Sequence, residues 1–213
     1  MGRFALIGCL GALILVVIIF GAYYVGTRNE LVGLDEGVKA QWSQVENDYQ
    51  RRYDLIPNLV ATVKGYAAHE RETLEAITNA RASVGRVQVT PGTSGDITSN
   101  PQAFAQFDQA QQGLSGALSR LLVVVERYPD LKANQNFLEL QSQLEGTENR
   151  IAVERRRYNE VAQTYNVAIR RFPANLVASM SGFQAKEYFK VTTPAATEAP
   201  KVDFSNQPAT ATH

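Results

Sequence analysis

From Phe4 to Thr27 the chain runs for 24 residues without a charge, FALIGCLGALILVVIIFGAYYVGT, and this run decides what kind of protein it can be. As a helix it is ~36 Å long, enough to cross a hydrocarbon core of roughly 30 Å. Tyr23 and Tyr24 stand near one end, where amphipathic rings favour the headgroup region, and Arg3 and Arg28 bracket the run. A cleavable signal peptide has an apolar stretch of only about 7–15 residues. A transmembrane helix is therefore expected over 4–27, with the lipid bilayer as its partner and residues 1–3 as a short flank. Leu6-Ile7-Gly8-Cys9 has the look of a lipid-attachment box, but such a box follows its apolar segment, and here most of that segment comes after Cys9. Cys9 reads instead as a small apolar residue in lipid. Arg3 on one side against Arg28 and Lys39 on the other is too small a bias to orient the span, so the side that holds the rest of the chain stays open.

The remainder is ordinary in composition and spare in chemistry. The chain has 213 residues, with 21 Lys+Arg against 21 Asp+Glu. A net charge of zero argues against nucleic acid, whose binding draws on counterion release at a basic surface. With Cys9 as the only cysteine, no intrachain disulfide and no thiolate metal site can be built. The two histidines are His69 and His213, the latter the last residue. A carboxylate-bridged di-metal site in a helical bundle needs a Glu-x-x-His motif on two helices, and His69 does not complete even one; it reads as a surface or half-buried helical residue. No nucleophile elbow, phosphate loop or dinucleotide fingerprint occurs, and no carboxylate pair stands out. The sequence points to no cofactor, no metal and no enzyme.

Past Thr27 the periodicity is helical. Leu31, Leu34, Val38, Trp42, Val45, Tyr49 and Ile56 recur mostly three and four apart, and the pattern resumes after Pro57 at Val60, Val63, Ala67, Leu74, Ile77 and Val84. Gly85–Pro101, with three Gly and two Pro, reads as a long flexible loop. Two seams follow. Phe104, Phe107, Gln111, Leu114, Leu118, Leu121, Val125 and Tyr128 form the first; the second runs from Phe137 through Leu144, Ile151, Tyr158 and Tyr165 to Phe172. Pro57, Pro129 and Pro173 each sit where one helix stops and another starts, with a kink inside one long helix as the alternative at Pro57. The fold expected is all-α: a transmembrane helix, then an antiparallel four-helix bundle over 28–190, or three long helices with the first kinked at Pro57. Residues 191–213 hold 13 Thr, Ala and Pro among 23, a tail too poor in apolar area to fold alone.

Three charges fall on apolar seams: Arg52 in the first helix, Glu148 and Arg155 in the last. A buried charge is costly unless paired, so Arg52 or Arg155 is expected to meet a carboxylate between helices and to set register more than stability. The other basic clusters, Arg51-Arg52, Arg155-Arg156-Arg157 and Arg170-Arg171, lie among carboxylates and read as solvated, ion-paired faces.

Several stretches together resemble the LemA family of bacterial membrane-anchored proteins. Trp42-Ser43-Gln44-Val45-Glu46 leads into Arg51-Arg52-Tyr53-Asp54-Leu55-Ile56-Pro57-Asn58-Leu59-Val60, and His69-Glu70 and Ala80-Arg81 follow. The likeness continues at Glu126-Arg127-Tyr128-Pro129-Asp130-Leu131, at Leu144-Glu145-Gly146-Thr147-Glu148-Asn149-Arg150-Ile151, and at Tyr158-Asn159 and Tyr165-Asn166. Pro200-Lys201-Val202-Asp203-Phe204 is similar to a short element near the C-terminus of many members. The resemblance implies one membrane helix and a helical bundle, and it supplies no catalytic residues.

The function expected is a membrane-anchored scaffold or adaptor that binds a partner protein near the bilayer, with Lys201, Val202, Asp203 and Phe204 as candidate partner-binding residues. The alternative is a self-assembling, membrane-organising protein, a homo-oligomer in which Gly8, Gly11, Gly21 and Ala22 allow close helix approach.

Overall fold

The computed structural model describes residues 2–89 and 96–190. Within them the order is α1 (Gly2–Tyr66), α2 (Arg71–Val89), a 3-10 turn (Ile97–Ser99), α3 (Pro101–Val125), α4 (Pro129–Lys132), α5 (Gln135–Arg170) and α6 (Ala174–Ser181), with no strand among the described residues. An extended strap, residues 183–190, follows α6.

The long first helix has two lives. From Leu10 to Tyr23 its described side chains are exposed, and they belong to a helix long and apolar enough to cross a membrane. From Thr27 onward one face is buried: Leu31, Val38, Trp42, Val45 and Tyr49 pack with Phe104 and Phe107 of α3 and with Ile151, Tyr158, Ala162 and Tyr165 of α5. Further along, Ile56, Leu59 and Val63 share a second core with Leu74, Ile77 and Val84 of α2, Leu114–Val125 of α3, and Phe137 and Leu144 of α5. The order of these contacts makes α1 and α3 run one way and α2 and α5 the other, an up-down alternation that short connections favour.

Pro57 does not end a helix. It lies inside α1, on an exposed position, and the break falls instead at residues 67–70. The physical reason sits one turn back. Proline lacks the N–H that would bond the carbonyl of Tyr53, and Arg81 Nε of α2 donates to that oxygen at 3.4 Å. The same guanidinium lies 3.8 Å from the centre of the Tyr53 ring. A neighbouring helix thus meets the carbonyl that proline leaves free, and α1 continues. The real corner is held by Glu70, whose carboxylate accepts from Tyr128 Oη at 2.8 Å and Arg127 Nη2 at 3.1 Å. His69 is exposed in this turn, not on a helix.

The other helix ends follow local chemistry. Asn100 Oδ1 accepts from the N–H groups of Gln102 and Ala103 ahead of Pro101, and Asn134 Oδ1 accepts from Phe137 N at 3.0 Å. Proline opens α4 and directly precedes α6. The glycine-rich stretch is shorter than expected: α2 continues to Val89 and Asp96 already caps the 3-10 turn, whereas residues 90–95 lie outside the described residues. α5 stops at Arg170, so Phe172, expected as the last seam position, is 81% exposed.

Candidate interaction groove

The face beside α5 holds an extended segment of the chain itself. Gly182 at φ +75° ends α6; its N–H and that of Phe183 return to carbonyls of the last turn, Phe183 N to Ala178 O at 3.0 Å. The chain then runs antiparallel to α5. Asn166 Oδ1 accepts from Lys186 N and its Nδ2 donates to Lys186 O, both at 2.8 Å. Asn159 does the same for Phe189, at 3.0 and 2.9 Å. Each amide therefore satisfies both main-chain groups of one strap residue, as a neighbouring strand would. The registers match: seven helical residues span ~10.5 Å and three extended residues span ~10 Å. The tyrosines preceding the two asparagines complete the clamp, Tyr165 Oη donating to Gln184 O and Tyr158 Oη to Glu187 O, each at 3.0 Å.

Two side chains anchor the strap. Phe189 enters a cluster of Trp42, Phe104 and Tyr158, stacked on Trp42 with ring centres 5.8 Å apart, and Arg155 covers its face at 4.4 Å. Lys186, 5% exposed, places Nζ 2.7 Å from Asp35 Oδ1 and also against Asp96 Oδ2. Burial pushes both carboxyls up, but Lys186 together with Lys39 at Asp35, and together with Thr98 at Asp96, outweighs it, so both lie below their ordinary range. Burial also raises the Tyr165 phenol to about 12 and Tyr158 still further. The cluster joins α1, the 3-10 turn and the strap through opposite charges that neutralise one another.

Beyond Phe189 the groove continues unfilled by described residues. Lys190 O lies 3.4 Å from Arg155 Nη2, and a cavity of about 240 Å3 follows, lined by Arg155, Ile151, Glu148, Ser115 and Arg52. It leads into a larger groove of about 390 Å3 with Leu59 beneath, Leu118 and Leu122 of α3 on one wall, and Leu144 and Glu145 of α5 on the other.

The sequence-selected charges stand in this passage. Arg52, 1% exposed, donates from Nη1 to Glu148 Oε1 and to Ser115 Oγ, each at 2.7 Å, and from Nη2 to the side-chain and main-chain oxygens of Gln111. Glu148 is 42% exposed, so the pair lies at the groove wall, not deep in the core. Arg155 does not meet Glu148; it pairs with Asp108 at 3.2 Å and covers Phe189. Lys201, Val202, Asp203 and Phe204 lie outside the described residues. Sequence reasoning missed Lys186, Asp35, Asp96 and the two asparagines; the signal was the Tyr-Asn pair repeated at an interval of seven, 158–159 and 165–166.

These features define a class of protein: an all-helical body carried on an apolar N-terminal helix, with an extended segment clamped in a side groove. The chain belongs to the LemA family, whose signature matches residues 41–204. It is 30% identical over 189 residues to "Magnetosome protein MamQ 2" of Paramagnetospirillum magneticum, covering 83% of this chain and 70% of that protein. It is likewise 30% identical over 173 residues to "Magnetosome protein MamQ" of Magnetospirillum gryphiswaldense, covering 76% and 64% respectively. With "Protein LemA" of Metamycoplasma hominis the identity is 30% over 184 residues, 84% of this chain and 78% of that one.

Proposed function

We propose that the protein is a non-catalytic scaffold of a bacterial membrane, anchored by a single pass over 4–27, that receives extended segments of a partner protein in the groove between α3 and α5. The observation that carries this reading is the strap: the groove holds an extended chain by its backbone and by an aromatic side chain, and then runs on, apolar-floored and vacant of described residues. Main-chain clamps give affinity with little sequence demand, while pockets for alternate side chains give choice of partner. The tail contributes Val202 and Phe204 as apolar side chains, flanked by Lys201 and Asp203, for engagement of the same partner or a second one.

Crosslinking in cells followed by identification of the captured proteins tests this with two variants. Leu122→Arg places a charge on the groove wall, and a stop after Lys190 removes the tail. Loss of a partner in either variant is expected. An identical set of partners from wild type and both variants would end the scaffold reading for these surfaces.

A further inference from the structure

The end of the body nearest the apolar helix carries an unusual surface. From Phe172 to Ala185 fourteen consecutive residues are uncharged, between Arg170-Arg171 and Lys186. α6 occupies the middle of this stretch and divides its faces cleanly. Val177 and Ala178 are buried against the body, whereas Phe172, Leu176 and Met180, spaced four apart, are 81%, 50% and 70% exposed. On α6 this spacing puts Leu176 and Met180 along one side, with Asn175 and Ser179 as their polar neighbours, and Phe172 stands exposed in the turn just before the helix. Scattered exposed apolar residues need no explanation, but three within nine residues of an uncharged stretch do.

Its height relative to the bilayer follows from one contact. Ser181 Oγ lies 3.1 Å from Tyr24 Oη, so the C-terminal end of α6 is level with the last turn of the uncharged run. A hydrocarbon core of roughly 30 Å takes about 20 helical residues. With 24 uncharged residues available, its boundary falls within a turn of Tyr24. Arg28, Arg170 and Arg171 are exposed close to this level, where lipid phosphates lie.

We propose that α6 and the turn before it form an interfacial foot, Phe172, Leu176 and Met180 dipping into the headgroup–acyl boundary of the bilayer that α1 crosses. The occupant of this face is lipid, because the face is continuous with the lipid-exposed flank of α1 through Tyr24. The inference rests on α1 spanning a membrane but not on the groove or on any protein partner. A second attachment point fixes the tilt of the body, and with it the direction in which the groove faces.

The test uses the full chain in the Cys9→Ser background, reconstituted into vesicles of phosphatidylcholine with phosphatidylglycerol. A fluorophore is placed at Met180→Cys or, as a water-exposed control at the far end of α3, at Val123→Cys. Flotation with the vesicles after carbonate treatment first checks the anchor. Lipids bearing a nitroxide near the headgroup are expected to quench the Met180 probe several-fold more than the Val123 probe, and aqueous iodide several-fold less. Leu176→Asp, at a side chain already half in solvent, is expected to reverse both differences while leaving the helical circular dichroism intact. Equal iodide quenching at the two sites overturns the foot. Protection from iodide without lipid quenching overturns it in favour of a second protein surface, and failure to float overturns the anchor and the foot together.

Discussion

Arg52 shows how much one seam charge constrains. Its guanidinium is buried and bonded to Glu148, Ser115 and Gln111, yet its Nε, Gln111 Nε2 and Tyr49 Oη find no partner among the described residues. Unmet buried groups each cost about 1–3 kcal/mol, so this layer is expected to weaken the fold while selecting one register of α1 against α3 and α5. Glu148→Ala is therefore expected to destabilise the body by ~1–2 kcal/mol, discounted because the carboxylate is partly solvated, and Glu148→Gln by less than ~1 kcal/mol, since an amide oxygen still accepts from Nη1. Thermal melting in detergent measures both; no loss in either variant would mean the charges are effectively solvated. Tyr53 and Arg81 provide a second residue-scale prediction. Pro57→Ala restores the N–H that Tyr53 O lacks, so it should stabilise by ~1 kcal/mol or more, and Arg81→Ala should cost about as much. In the Pro57→Ala background the Arg81 loss should shrink, because the carbonyl then has its helical partner. A double-mutant cycle by urea unfolding reads that coupling.

At the scale of elements, the strap is the part most sensitive to conditions. Against the upward push of burial, Asp35 and Asp96 have carboxyls held below their ordinary values by Lys186 together with Lys39 at Asp35 and Thr98 at Asp96. A carboxyl with a lowered folded-state pKa stabilises the fold at pH values above its unfolded value, and that contribution is lost as pH falls through the folded value. The strap is thus expected to hold at neutral pH and to loosen only below about pH 4, the ordinary carboxylate range. Trp42, the only tryptophan, stacks on Phe189 and reports the event directly. Acid titration of its fluorescence should show a step below that pH, before the far-UV helical signal falls. Asp96→Asn should move the step towards neutrality, because Lys186 then depends on Asp35 alone. Asn166→Leu, which strips both main-chain partners from Lys186, should release the strap at neutral pH and cost ~2–3 kcal/mol. These elements also mark what a sequence can tell. The seams of α3 and α5 were legible because a helix face repeats: Phe104 to Val125 are buried at every position the spacing selects. The strap was not, since it has no period of its own; its order comes from side chains on α5, and only their interval of seven carries it. Pro57 misled for a related reason, because the residue that rescues its helix lies on another element.

The whole molecule turns on α1 being one piece from Gly2 to Tyr66. The apolar stretch and the inner face of the body lie on one continuous helix, so the azimuth of the body about that stretch is expected to follow helix phase and not a hinge. The all-helical class, the long apolar N-terminal helix and the family were all readable from apolar run length and motif, whereas the continuity of α1 was hidden by a proline that looked like a break. A single alanine inserted between Val25 and Gly26 tests the consequence. It turns everything before it by ~100° relative to the body, which separates Tyr24 from Ser181 and removes one hydrogen bond worth ~1 kcal/mol. The cores beginning at Leu31 keep all their partners, so the melting temperature should change little. Orientation should change a great deal: spin labels at Gly21→Cys and Met180→Cys in the Cys9→Ser background are expected to give a different distance from the uninserted chain. Insertion of four alanines, about one full turn, should bring the anchor back near its original phase, though one turn further from the body. If one and four alanines gave the same distance distributions as the parent, the rod would have a hinge near Thr27 and the anchor would not orient the groove.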